Sequence, residues 1–86
     1  MLEQEFYVIS FESTHHAIQT ETRLKKDFTI ETIPTPREIS ASCGLSIKFS
    51  LEKFSEVMKA LGSDQEKVSL FKIKKIGKNK MVTPIS

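Results

Sequence analysis

Leu45-Ser46-Ile47-Lys48-Phe49-Ser50-Leu51-Glu52-Lys53-Phe54-Ser55-Glu56-Val57-Met58-Lys59-Ala60-Leu61-Gly62 changes its apolar period halfway along. Leu45, Ile47 and Phe49 alternate with Ser46 and Lys48, which is the period of a strand with one buried face. Beyond Ser50 the apolar residues fall at Leu51, Phe54, Val57, Met58 and Leu61, the stripe of an amphipathic helix. Ser50 is placed to cap that helix and Gly62 to end it. A strand thus runs directly into a helix, and the rest of the chain is read outward from this unit.

Upstream, Phe6-Tyr7-Val8-Ile9-Ser10-Phe11 is aromatic and β-branched, the composition of a strand central in its sheet. Ser13 and Thr14 offer an N-cap, and a first helix is predicted from about Thr14 to Lys26. Its apolar stripe is narrow, carried by Ala17, Ile18 and Leu24, and Lys25-Lys26 suits the negative end of its dipole. A strand over Phe28 to Ile33 follows, stopped by Pro34 and Pro36. Downstream, Val68 to Ile76 reads as a fourth strand and 77–86 as a basic, loosely docked tail.

The order β-α-β-β-α-β in one domain, 1–76, predicts an α+β fold. Its expected form is the ferredoxin-like split βαβ sandwich, with four antiparallel strands and both helices on one face. A crossover through the first helix makes the first two strands parallel. The end of the first strand, the start of the first helix and the loop after the second strand should then share one edge. Ser13, Thr14, His15 and His16 are expected there together with Arg37, Cys43 and Gly44.

The chemistry of that edge centres on Cys43, the one cysteine among 86 residues. It lies between Pro34-Thr35-Pro36 and Gly44, among the small residues Ser40, Ala41 and Ser42 that leave room for approach. A helix N-terminus and nearby cations favour a thiolate. Here they would be the first turn of the first helix, His15 or His16, and Arg37. Adjacent helical residues point about 100° apart, so the two imidazoles do not readily share a target. Glu12, Glu21 or Glu38 could orient one of them. A metal site of His15, His16 and Cys43 is an alternative, but tetrahedral zinc would still need a fourth ligand. Arg37-Glu38 is either a local ion pair or an anion handle beside the thiol. In the bland reading Cys43 only fills space at a strand end.

Composition removes other classes. A chain this short holds a core but not a deep pocket with a lid, which favours binding or carriage over elaborate catalysis. No apolar run reaches the length of a membrane span, and the acidic start Met1-Leu2-Glu3-Gln4-Glu5 is unlike a signal peptide. With a single cysteine, these point to a cytoplasmic protein without an internal disulfide. The net charge of +2 does not argue for nucleic acid, and Lys67, Lys72, Lys74, Lys75, Lys78 and Lys80 read as a solvated edge strand and tail. The glycines are isolated, so there is no phosphate loop, and the sheet lacks the aromatic RNA-binding pattern. No cofactor is called for.

Two blocks carry a resemblance. They are Tyr7-Val8-Ile9-Ser10-Phe11-Glu12-Ser13-Thr14-His15-His16-Ala17 with Glu21, and Ile33-Pro34-Thr35-Pro36-Arg37-Glu38-Ile39-Ser40-Ala41-Ser42-Cys43-Gly44. From about Phe6 to Ile76 the chain resembles a small bacterial family labelled putative Se/S carrier protein-like. The resemblance implies a carrier without independent turnover, holding sulfur or selenium on Cys43 and exchanging it with donor and acceptor proteins. Better-known sulfur carriers place the thiol in a Cys-Pro motif at a helix start, whereas Cys43-Gly44 precedes a strand. Two other classes stay open. One is a non-enzymatic binding or regulatory module with a structural cysteine, whose sheet edges could pair two copies into a homodimer. The other is the small metal-binding module.

Overall fold

The computed structural model describes residues 3–39 and 44–85. Five strands form one antiparallel sheet: β1 (Glu3–Ser10), β2 (Glu31–Pro34), β3 (Leu45–Ser50), β4 (Ser69–Ile76) and β5 (Asn79–Pro84). Helices α1 (Thr14–Leu24) and α2 (Phe54–Leu61) lie between them in sequence. The strand order is β2-β3-β1-β4-β5. β1 pairs with β3 on one side and β4 on the other, so the most apolar strand is central, as its composition predicts.

Alternation along β1 divides the molecule into two layers. Tyr7, Ile9 and Phe11 face Ala17 and Leu24 of α1 and Val57 and Leu61 of α2, in a core completed by Ile47, Phe49 and Leu70. Tyr7 fixes the start of α2, its ring centroid lying 4.5 Å from that of Phe54 and 5.6 Å from that of Phe49. Phe6 and Val8 point to the opposite face, where they pack with Ile73. The loop after β2 partly covers that face: Ile39 is buried against Phe6, Val8 and Ile73.

Several local expectations change. The sheet has a fifth strand where a tail is predicted. Gly77 takes φ +59°, giving a two-residue turn that returns residues 79–84 along β4 with Ile76 opposite Asn79. A glycine at the first turn position is what a type II′ hairpin requires. β2 starts at Glu31 rather than Phe28, because the amides of Asp27 and Phe28 are drawn back to the Leu24 carbonyl in the turn that ends α1. Phe28 and Ile30 still pack against the core. On α1, Thr20 is buried with Ala17 and Leu24 while Ile18 is half exposed. Positions i, i+3 and i+7 share a helix face, and Ile18 lies off it. Ser50 makes no side-chain cap, and a 3₁₀ turn, Leu51–Lys53, leads into α2.

The Ile39 contact has a measurable weight. Ile39→Ala removes a buried side chain, but from a loop that can partly collapse into the space. The loss is expected to be about 2 kcal/mol, read as a lower urea midpoint with an unchanged m-value.

Candidate functional site

Ser13 has extended backbone, with φ −133° and ψ 146°, and its Oγ accepts a hydrogen bond from the His16 amide at 3.1 Å. The first turn of α1 carries no acidic side chain, so the positive end of its dipole is not neutralised from within the helix. His15 is exposed, while His16 is half-buried and meets the Phe11 ring edge-on at 5.2 Å. The two imidazoles therefore have different surroundings. Ser13→Ala is expected to cost about 1 kcal/mol, a fall in Tm of roughly 4–8 °C for a domain of this size by circular dichroism.

The same end of the sheet holds the two ends of the loop. The Thr35 amide donates to the Gly44 carbonyl at 2.9 Å, extending the Pro34–Leu45 pairing by one step. The hydroxyls of Thr35 and the wholly buried Ser46 lie 2.8 Å apart. Ser46 is in turn opposite Ser10 of β1. Helix α1 is tied over β2 and β3 by Thr32, which donates to Glu21 at 3.0 Å, and Ala17 and Leu45 line a shared cavity of about 160 Å³. Ser13, Thr14, His15, His16 and Gly44 are thus gathered at one sheet end. Cys43, bonded to Gly44, lies outside the described residues. Among the described residues no group of three His, Cys, Asp or Glu side chains converges as a metal site would require.

Arg37 is placed differently from the expectation. It lines a cleft of about 380 Å³ on the sheet face away from the helices, with Lys48, Lys75 and Lys80. Glu38 pairs with Lys80 at 3.1 Å, and Lys80 is opposite Lys75, itself opposite Gln4 of β1. Gln4 lies about 20 Å along β1 from Ser10, at the strand's rise per residue. Ile39, buried against Phe6, Val8 and Ile73, holds residues 37–39 on the sheet face opposite the helices. A hydrogen bond from its own backbone amide, and then the Lys80 ammonium, hold the Glu38 carboxyl below its usual range.

A sequence model of the family described as "Putative Se/S carrier protein-like" matches residues 6–75. The chain belongs to that family. No curated protein and no solved structure matches it. Within this Se/S carrier protein-like chain, the matched stretch takes in Ser13 to His16, Arg37, Cys43 and Gly44, but ends before β5. Lys80 and its bridge to Glu38 therefore lie partly beyond it. No helix among the described residues is long and apolar enough to cross a membrane.

Sequence reasoning missed the Thr35–Ser46 pair and the cationic cleft. A signal existed for the loop's path, since Ile39 is the sole large apolar residue between Pro36 and Leu45. The lysines were legible individually, but their convergence depends on strand register.

Proposed function

We propose that this chain carries sulfur or selenium on the Cys43 thiol and relays it between a donor and an acceptor protein in the cytoplasm, without turning over a small molecule alone. The observation that carries the reading is membership of the Se/S carrier protein-like family over 6–75, a stretch that includes Cys43. The placing of Gly44 at the same sheet end as the first turn of α1, which carries no acidic side chain, supports it. The fold is read as a ferredoxin-like split βαβ sandwich with one added edge strand.

In the loading step the Cys43 thiolate attacks the terminal sulfur of a donor persulfide. A sulfur–sulfur bond forms to Cys43, the donor's own sulfur–sulfur bond breaks, and the donor cysteine leaves as thiolate. The proton on the transferred sulfur stays with it and no external oxidant is needed. Exposed His15, or His16, takes the proton of the Cys43 thiol beforehand, and the α1 first turn with Ser13 and Thr14 favours the anion. Arg37 belongs to this site less than to the cleft on the opposite sheet face.

Intact-mass spectrometry after incubation with a cysteine desulfurase and cysteine tests the reading, with a parallel arm in which selenocysteine replaces cysteine, so that the donor enzyme presents selenium at the oxidation level of a persulfide's outer atom. A gain of one sulfur or selenium on Cys43, with an alkylation midpoint below about pH 8.5, is expected. A chain left unmodified in both arms overturns it.

A further inference from the structure

We propose that the cleft between the sheet and the start of the loop after β2 binds a small phosphorylated organic molecule, its phosphate held by Arg37 and the lysines and its apolar part resting against Ile33, Pro34 and Pro36. The proposal is independent of chemistry at Cys43. Phe6 and Ile73 lie buried under the cleft, and its accessible apolar wall is Ile33, Pro34 and Pro36. The rim is cationic: Lys48 Nζ lies 4.5 Å and Lys75 Nζ 5.8 Å from the Phe6 ring centroid, and Arg37 and Lys80 complete it.

The balance of charge in the cleft differs from that on the helix-bearing face. On that face Lys72 and Lys74 are matched by Glu5 and Glu3, at 3.2 and 2.9 Å. In the cleft, Lys75 and Lys80 are directly opposite on neighbouring strands, a like-charge pairing that disfavours the sheet. Glu38 compensates Lys80, while among the described residues Arg37, Lys48 and Lys75 have no ion-pair partner. Four cations thus meet one carboxylate beside an apolar wall. Glu31, opposite Lys48 on β2, and Gln4, opposite Lys75 on β1, face this side but do not line the cleft.

Charge complementarity and size select the occupant. A phosphate monoester carries close to two negative charges and offers oxygens to the fixed fork of a guanidinium. A cleft of about 380 Å³ is within the range of small-molecule sites and has little room for a folded partner. A wholly hydrophilic anion would leave the apolar wall of Ile33, Pro34 and Pro36 unused.

The test is a titration of the full chain with phenyl phosphate at low ionic strength, followed by amide chemical shifts and repeated in the Cys43→Ser chain. Saturable shifts are expected at Phe6, Ile73, Lys48 and Arg37 in both. Inorganic phosphate should bind weaker, and the double variant Arg37→Gln/Lys75→Gln should weaken phenyl phosphate by about ten-fold or more. Both substituted residues are exposed, so Tm should hold. The control Lys59→Gln/Lys67→Gln, with the same change in net charge, should leave the affinity unaltered. Non-saturating shifts, equal weakening in the control, or equal binding of inorganic phosphate overturn the proposal. So does a glutamate-rich peptide that saturates the same amides at lower concentration, which would make the cleft a surface for acidic proteins.

Discussion

Cys43→Ser is expected to abolish loading: no sulfur or selenium is gained where the parent chain gains one atom. A serine hydroxyl is far too weak an acid to supply the anion that attacks a persulfide at neutral pH, so the substitution removes the nucleophile while nearly preserving side-chain volume. The same variant separates the readings of this residue. Lost loading with stability unchanged to within about 0.5 kcal/mol identifies a carrier thiol. A parent chain that gains no atom, with a lowered urea midpoint in the variant, identifies a structural cysteine and moves the protein to the class of binding modules. Zinc that survives dialysis and is lost in His15→Ala would instead support the metal-binding alternative.

Phe11→Ala should produce the largest change in stability, about 3–5 kcal/mol. Phe11 is 2% exposed and packs in the core shared by both helices and the sheet. A domain of 86 residues has a total stability of roughly 4–13 kcal/mol, so the variant loses a large share of it and, at the low end of that range, unfolds in much of the population. Urea titration followed by tryptophan-independent far-ultraviolet circular dichroism reads this directly. Phe11 also supports the edge of the His16 ring, so the variant couples core packing to the start of α1. If Phe11→Ala were within 1 kcal/mol of the parent, the placement of α1 over β1 and β3 would be wrong.

The candidate site was partly legible in the chain. Ser13 could be read as a cap because its hydroxyl acts within one helical turn, and the structure has that bond to His16. The separation of His15 from His16 followed from helical geometry, and one is exposed while the other meets Phe11. Arg37 was misplaced because local rules describe how Pro34 and Pro36 stiffen the chain but not where a long loop goes next. That path depends on the apolar surface left on the second sheet face by Phe6, Val8 and Ile73, which Ile39 covers.

Sequence alone determined the elements whose periodicity is local: the alternating Leu45–Phe49 stretch, the stripe from Leu51 to Leu61, and the apolar part of β1 from Phe6 to Ser10, though not its start at Glu3. Each follows from a repeat of two or 3.6 residues acting on one buried face. Tertiary structure alone decided what depends on register between distant segments. The return of 79–84 along β4 set Lys80 opposite Lys75, and packing of β1 beside β3 put the Lys48 ammonium on the Phe6 ring. Strand alternation assigns a residue to a face, but only pairing fixes its neighbours across the sheet.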